Sequence, residues 1–353
     1  MKKTLLALFA FAALVSCTKD NVLENNNEAI GFSKTFIENS VKSVNDPSFT
    51  DANLFSDFAV YGFVEGATLF NGTTVNKTIT NTELKSVWKY EGTQYWIAGA
   101  KYNFCAVAPQ TKGGWSDVSS AVVTNDSKQS IKTSLSFTNN GTTDLLYSEV
   151  AQIEGKASDN AQVAFTFNHL LSKVKFSFEN GYNASSATIK VKNIKIENAY
   201  TTADVDLTST STTWKNHATD ELDLEFGMAT DDEATDAKEN VEVAYAFGKV
   251  YESQNERFLI PGAVPTQTVN PNEVKGYKVT FIVELLVSGT KVGEYSHTAY
   301  ADFTPAAGNS YDIKTVINAE NIDPNHAQEP IEFTVSPIKG WTAGTVNNGN
   351  SIL

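Results

Sequence analysis

This sequence is poor in the residues on which several classes of protein depend. Its 353 residues include two cysteines, four histidines and one arginine, Arg257, and acidic residues outnumber basic ones by 41 to 27. The formal net charge of −14 argues against binding to nucleic acid or to an anionic membrane surface, because both attract basic patches. We therefore expect no nucleic-acid partner.

The few histidines give no sign of a catalytic or metal centre. His169, His217, His297 and His326 are scattered along the chain, and no two have the helical spacing of metal ligands. The sequence contains neither a glycine-rich phosphate loop nor a nucleophile elbow. The acidic residues 230–236 lack the alternating aspartates and central glycine of a calcium loop, which favours a solvated loop. We predict a protein that is not an enzyme and has no cofactor and no metal, with His169 in a structural role.

The N-terminus has the pattern of a bacterial lipoprotein signal. Lys2 and Lys3 form a basic region, residues 5–14 are apolar, and a processing site ends at Cys17. We interpret residues 1–16 as a signal peptide and Cys17 as the lipidated residue of the mature chain. An ordinary signal peptide and a membrane anchor are the alternatives, but the apolar run is shorter than the about twenty residues of a spanning helix.

Lipidation of Cys17 would leave Cys105 as the other cysteine, so that no internal disulfide could form. Cys105 lies in the apolar segment 102–107, where we expect it to pack as a small buried hydrophobe. The fold must then be stabilised by core burial and sheet hydrogen bonds alone.

The length and the pattern of the chain predict an all-β protein with two domains. The mature chain is longer than a single core usually supports, and residues 17–29 are polar enough to be a flexible tether. Apolar residues occupy every second position in 163–167, 174–178 and 279–287, which is typical of strands with one buried face. We expect 279–287 to line one face of the longest strand. The apolar phase slips at Asn193, as in a β-bulge, and at most one short helix is expected.

Several local motifs follow one another along the chain in a fixed order. They are Ile30-Gly31-Phe32-Ser33, Phe58 to Phe63, Trp88 with Tyr95-Trp96, Tyr102 to Pro109, Asp144 to Tyr147, Phe165 to Val174, Phe258 to Gly262, Gly308 to Tyr311 and Ile338 to Trp341. This order resembles that of the fimbrillins, the subunits of type V pili of Gram-negative anaerobes. The resemblance covers nearly the whole mature chain.

The resemblance implies two transthyretin-like β-sandwich domains, which we place at residues 30–170 and 171–353. It also implies a fimbrial subunit or surface adhesin, located at the cell outer membrane or in the fimbrium, with other pilus subunits as partners. In such pili the N-terminal strand of a subunit is removed, which leaves a groove in that subunit. An extended segment of the neighbouring subunit then fills the groove. Apolar and polar residues alternate in 331–335, as they must in such a donor strand, although an ordinary last strand would show the same alternation. Outer-membrane lipid, reached through Cys17, and host or bacterial glycans or proteins are the further partners.

Maturation is where the sequence departs from the family. Fimbrillins are often cut by an arginine-specific protease after the first strand, whereas the one arginine here is Arg257. The nearest comparable place is Lys42-Ser43. Either a protease that accepts lysine cuts there, or the chain keeps its first strand and its lipid, and stalk, tip and anchor roles stay open.

A surface glycan-binding lipoprotein that does not polymerise is the alternative function. A sugar-stacking platform could be formed by the aromatic residues Trp88, Tyr90, Tyr95, Trp96 and Trp115. Trp88 and Tyr90, however, lie two positions apart on a predicted strand, and aromatic residues at that spacing are usually core. Trp115 is predicted to be exposed on a turn and is the first candidate for ligand contact. A hydrolase on a β scaffold is a third hypothesis, which would need two carboxylates close in space.

Overall fold

The structure is a computed structural model that describes most of the chain. It describes residues 28–37, 55–79, 86–111, 113–125, 128–155, 162–208, 211–218, 222–230, 244–269, 272–322, 331–337 and 342–343. The predicted signal peptide, Cys17 and Lys42-Ser43 lie outside these residues. Within them, no helix has the length and apolarity needed to cross a lipid bilayer.

The first half of the described chain consists of strands rich in β-branched and aromatic residues, which favour extended backbone. The strands are β1 (Gly31–Ile37), β2 (Asp57–Val64), β3 (Ala67–Ile79), β4 (Ser86–Tyr90), β5 (Lys101–Ala108), β6 (Trp115–Asn125), β7 (Lys128–Thr138), β8 (Leu146–Glu154) and β9 (Gln162–His169).

The second half adds further strands and one helical turn. They are β10 (Ser172–Asn180), β11 (Ala187–Ala199), β12 (Thr202–Thr208), β13 (Ser211–Ala218), β14 (Leu222–Gly227), β15 (Ala229–Thr230), β16 (Tyr245–Ala246), β17 (Val250–Ser253), β18 (Arg257–Leu259), β19 (Thr266–Val269), β20 (Asn272–Lys275), β21 (Tyr277–Val287), β22 (Thr290–Ala301), β23 (Asn309–Ile317), α1 (Ala319–Ile322), β24 (Thr334–Pro337) and β25 (Thr342–Ala343). The prediction of an all-β fold with at most a short helix is confirmed.

Seven strands of the first half form a closed sheet in the order β1-β4-β3-β2-β5-β8-β9. Neighbouring strands in it are antiparallel, except that β1 runs parallel to β9. Its interior is filled mainly by aromatic side chains that are at most 8% exposed, namely Phe32, Phe58, Phe70, Trp88, Trp96, Tyr102, Phe104, Phe165 and Phe167. Burial of these rings stabilises this sheet, because each removes a large apolar surface from water.

A second sheet takes strands from both halves of the chain. Its order is β13-β12-β7-β6, and β12 pairs with β7 from Thr202 and Thr138 to Leu207 and Thr133. Its inner face packs on the outer face of the closed sheet around one apolar cluster. The predicted division into residues 30–170 and 171–353 stays a prediction. The hairpin of β12 and β13 belongs to the second of these ranges but pairs with β7, which belongs to the first.

Two larger sheets surround the core of the second half. One has the order β15-β17-β10-β23-β24, with β18 on β10 and β25 on β23, and the other has the order β14-β11-β21-β22, with β16 on β11. The hairpin of β19 and β20 forms a small sheet of its own. Both larger sheets contribute to the core, through residues such as Phe176, Phe178, Val191, Phe281 and Ile313.

The alternation of apolar residues predicted the strands well. Asn193 has a φ of 55°, and the pairing of β11 with β21 shifts register between Lys192 and Lys195, so the expected bulge is present. The prediction that residues 279–287 lie in the longest strand is wrong, because β21 has 11 residues whereas β3 and β11 have 13. Val287 is also 37% exposed, since it is the last residue of β21 before the chain turns back.

Candidate functional site

Strand β1 closes the seven-stranded sheet. It runs parallel to β9, with an irregularity between Ser33 and Phe36, and it pairs antiparallel with β4 at Phe32 and Trp88. Since β4 and β9 are neighbours only through β1, removal of β1 would leave an unpaired edge on each of them. We call residues 28–37 and the groups that they contact the β1 site.

Phe32 is the central side chain of the β1 site. It is 3% exposed, and its ring stacks on that of Phe165 at 5.8 Å between centroids with an interplanar angle of 18°. Four more rings surround it at centroid distances of 5.6 to 6.4 Å, those of Phe58, Phe70, Tyr90 and Phe104. The pocket therefore fits an aromatic side chain, and its wall comes from β2, β3, β4, β5 and β9.

A second set of contacts fixes the backbone before β1. The amide of Ile30 donates to the carbonyl of Gln94 at 2.7 Å, and the amide of Trp96 donates to the carbonyl of Glu28 at 2.9 Å. The hydroxyl of Tyr90 donates to the Ile30 carbonyl at 2.8 Å. No sequence motif indicated Gln94 or Tyr90 for this role, because Tyr90 and Ile30 are 60 positions apart.

The C-terminal segment 331–335 lies in the core of its own chain. Ile331, Phe333 and Val335 are 3%, 4% and 3% exposed. The ring of Phe333 lies 5.8 Å from that of Phe176 and 6.2 Å from that of Phe281. Residues 334 and 335 begin β24, which pairs with β23 of the same chain, and donation of this segment to another subunit stays a prediction.

Trp115 differs from the sequence-based expectation. It is the first residue of β6, it is half-buried, and its indole N–H donates to the carbonyl of Pro109 at 2.8 Å. The turn is made by the two residues before it, because Gly114 has a φ of 68° and a Cβ at Gly113 would lie 2.0 Å from the Pro109 oxygen. The prediction of an exposed turn residue is therefore wrong. Contact of Trp115 with a ligand stays a prediction.

The other candidate sugar-binding aromatics are divided between core and surface. Trp88 is 8% exposed and Trp96 is 1% exposed, whereas Tyr95 is 54% exposed. The ring of Tyr90 packs against Phe32. The four residues therefore do not share one exposed face, and Trp88 is a core residue, as its position on a strand predicts.

His169 lies in a structural contact at the end of β9. Its Nδ1 is hydrogen-bonded to the carboxylate of Asp144, whose other oxygen accepts the amide of Leu145 at 2.9 Å. This contact joins the segment before β8 to the end of β9. Such a role agrees with the structural function that the sequence predicts for His169.

His217 and His297 lie on different strands, β13 and β22. His217 donates from Nε2 to the Pro261 carbonyl at 2.7 Å, and His297 stacks on Phe281 at 5.3 Å. Burial lowers the pKa of His297 to about 4. His326 and residues 231–236 lie outside the described residues. Among the residues that are described, no three His, Cys, Asp or Glu side chains are grouped as a metal ion would need.

Cys105 is fully buried, which confirms the expectation for this thiol. Its Sγ lies 3.4 Å from the hydroxyl of Ser120 and 3.5 Å from that of Thr133. Burial raises the pKa of the Cys105 thiol. A protonated, inaccessible thiol is a packing residue rather than a nucleophile.

Comparisons with known proteins place the chain in a family. Among solved structures it is similar to a candidate cell adhesion protein from Bacteroides ovatus ATCC 8483, with 15% identity, a TM-score of 0.47 and coverage of 90% of this chain and 99% of that chain. It is also similar to a fimbrial assembly protein from Parabacteroides distasonis ATCC 8503, with 12% identity, a TM-score of 0.36 and coverage of 90% and 100%. No curated protein matches. The profile of a family described as fimbrillin-like matches residues 44–341, and the chain therefore belongs to the fimbrillin-like family.

Proposed function

We propose that this protein is a fimbrial subunit or surface adhesin that assembles by strand exchange at the outer membrane, and that it is not an enzyme. The β1 site is the observation that carries the proposal, because one N-terminal strand closes a sheet and inserts Phe32 among five aromatic rings. Membership of the fimbrillin-like family supports the same class of protein. Two transthyretin-like domains and a location in the fimbrium belong to this proposal.

Loss of β1 would open an apolar groove between β4 and β9. Ile30 and Phe32 are 1% and 3% exposed, and each buried side chain of this kind contributes about 1.5 to 3 kcal/mol. The vacated pockets and the two unpaired strand edges would bind an extended segment with apolar residues at alternate positions. Backbone hydrogen bonds would give affinity, and the pocket of Phe32 would set the register.

A cut between β1 and β2 would allow this exchange. Lys42-Ser43 lies in the chain between Ile37, the last residue of β1, and Asp57, the first residue of β2. While the chain is intact, β1 rebinds from an effective concentration of about a millimolar or more. After cleavage β1 is held by non-covalent contacts alone, so it can leave and a second subunit can replace it.

The C-terminal segment of another copy is the donor that we propose. Ile331, Glu332 and Phe333 repeat the spacing of Ile30, Gly31 and Phe32. If the two apolar residues occupied the same pockets, residue 332 would take the place of residue 31, which pairs with Gln162. Because the segment lies in its own core in this structure, donation requires that it first separates from β23.

Engineered disulfides test the exchange and its direction. A disulfide between Gln162→Cys and Glu332→Cys would report that a donor occupies the β1 site, whichever direction its strand runs. A disulfide between Ala164→Cys and Thr334→Cys would form only with a donor that runs parallel to β9, as β1 does. All four positions are exposed in this structure. We expect covalent multimers on non-reducing gels from chains cut at Lys42 and monomers from uncut chains. Equal multimers from both, or none from assembled fibres, would refute strand exchange at this site.

Intact mass and N-terminal sequencing of protein from outer membranes and sheared fibres test maturation. A product that starts at Ser43 in fibres supports a cleaved, polymerising subunit. An acylated product that starts at Cys17 and never occurs in fibres removes the stalk role and favours an anchor or a glycan-binding lipoprotein. Trp115, which is half-buried, would then be the residue to test, because Trp115→Ala should abolish saturable oligosaccharide binding.

A further inference from the structure

Residues 92–100 form an uncharged loop beside the start of the described chain. The sequence Gly-Thr-Gln-Tyr-Trp-Ile-Ala-Gly-Ala contains no charged residue, although 19% of the whole chain is charged. Tyr95 is 54% exposed and Ile97 is 55% exposed, while Trp96 between them is 1% exposed. We call residues 92–100 the Tyr95 loop. Its outer surface therefore carries two exposed, largely apolar side chains two positions apart, those of Tyr95 and Ile97.

The Tyr95 loop is held in a fixed conformation. The ring of Trp96 packs edge-on against that of Tyr102 at 4.7 Å, and the amide of Ile97 donates to the Tyr102 hydroxyl at 2.8 Å. The amide of Gly155 donates to the Ala100 carbonyl at 2.7 Å, and the amide of Gly99 donates to the Gly155 carbonyl at 2.8 Å. Tyr95 and Ile97 are therefore exposed on a rigid support.

The same loop is joined to the residues that lead to the predicted lipid. Ala29 forms a β-bridge with Tyr95, and the carbonyl of Glu28 accepts the amide of Trp96. Cys17 precedes Glu28 by eleven residues, which span at most about 40 Å when extended and about 18 Å on average as a flexible chain. A lipid at Cys17 would thus confine the Tyr95 loop to the neighbourhood of the membrane surface.

We propose that Tyr95 and Ile97 contact the lipid surface to which Cys17 anchors the chain, and that this second contact orients the protein on the membrane. The inference rests on the proposed anchoring through Cys17 and applies to the chain that keeps residues before Lys42. Tyrosine is enriched at membrane interfaces because its ring is apolar and its hydroxyl stays in water. Isoleucine gains by transfer from water to the acyl boundary.

The charge of the chain determines which kind of lipid surface it can contact. No charged group of the Tyr95 loop would have to lose its hydration on contact with lipid. The anchored chain, which has lost Lys2 and Lys3 with the signal peptide, is more acidic than the net charge of −14 of the full sequence, and an anionic surface repels such a charge. The surface that fits is therefore a zwitterionic one, and added anionic lipid should weaken the contact.

Depth measurements with a spin label on the acylated full chain test the inference. A nitroxide at Ala98→Cys reports on the Tyr95 loop, and one at Val292→Cys, a residue of β22 that is 57% exposed, is the matched control. Acylated Cys17 and buried Cys105 leave the introduced cysteine as the site of labelling. On phosphatidylcholine vesicles, we expect the ratio of oxygen to nickel-chelate accessibility to be several-fold higher at Ala98 than at Val292. Tyr95→Ser with Ile97→Ser should abolish this difference while the melting temperature stays the same.

Three results would overturn the inference in distinguishable ways. Equal accessibility ratios at the two labels on an acylated chain would refute the contact and leave the anchoring intact. A difference that disappears when the protein is diluted on the vesicles would show that the Tyr95 loop contacts a second copy instead of lipid. A native chain whose mass shows no acyl group on Cys17 would refute the anchoring in the proposed function together with the contact.

Discussion

Replacement of Phe32 by alanine tests whether β1 stabilises the closed sheet. Truncation of a buried phenylalanine costs about 3 to 5 kcal/mol, and the cost is larger when the surrounding groups cannot fill the cavity. The rings around Phe32 belong to five strands of a closed sheet, so they can move little toward it. We expect the free energy of unfolding to fall by about 3 to 4 kcal/mol, and by about 1 to 1.5 kcal/mol for Phe32→Leu.

Chemical denaturation of the uncut chain measures this loss, and release of the N-terminal fragment measures its consequence for exchange. After cleavage at Lys42, a loss of about 3 to 4 kcal/mol corresponds to an increase of about 150-fold to 900-fold in the dissociation constant of β1. Size-exclusion chromatography of the cut protein, with mass detection of the fragment, gives that constant. The matched control is Phe226→Ala, because Phe226 is fully buried in the other core, 4.7 Å from the ring of Phe176.

The variants Phe32→Ala and Phe226→Ala should distinguish a loss of folding stability from a loss of affinity for β1. Phe226→Ala should lower the stability of the chain without changing the affinity of β1, whereas Phe32→Ala should change both. A loss below about 1 kcal/mol for Phe32→Ala, where a buried ring costs at least about 3 kcal/mol, would show that β1 is dispensable for the closed sheet. Equal release of the fragment from both variants would refute the role of the Phe32 pocket.

Three further predictions concern other parts of the fold. Burial lowers the pKa of His297 to about 4 from about 6.5 in the unfolded chain, so between these values the unfolded chain binds the extra proton. The full shift would cost about 2 to 3 kcal/mol of stability as the pH drops from about 6.5 to 4. Because the ring is partly exposed and solvent screens its charge, we expect a loss of about 1 to 2 kcal/mol, and urea titrations should show less of it in His297→Gln. Gly62→Ala should cost about 1 to 3 kcal/mol by thermal unfolding, because its Cβ would lie 2.7 Å from the Phe70 ring, whereas Gly31→Ala meets only a flexible glutamine at 3.3 Å. Cys105 should resist thiol reagents at pH 8 until the protein unfolds, and fast labelling of the native protein would contradict its burial.

Local patterns in the sequence predicted the strands because side-chain alternation is a property of a few consecutive residues. Val163, Phe165 and Phe167 are at most 1% exposed and lie on β9, as their spacing indicates. The bulge at Asn193 follows from the slip in the apolar phase, since an extra residue moves the following side chains to the other face. Cys105 is buried for the same kind of reason, because its neighbours on β5 are apolar.

Partners that are distant in the sequence could not be predicted in this way. Gly31 pairs with Gln162 and Thr202 pairs with Thr138, and nothing in either local segment specifies the other. Such pairings depend on which apolar faces meet in the assembled core. The sequence-based expectation for Trp115 was wrong because the indole N–H binds the carbonyl of Pro109, six residues earlier in the chain, and no local pattern specifies that contact.

The pairing of β12 with β7 also determines how the protein would respond to mechanical load. Six residue pairs, from Thr202 and Thr138 to Leu207 and Thr133, join the two halves side by side, and Ala203, Val205 and Leu207 are buried in the cluster beneath them. Tension applied to one half therefore does not pass through the short link at Leu170 alone. It is shared with a ladder of hydrogen bonds and a packed core, which must rupture before the halves can be pulled apart.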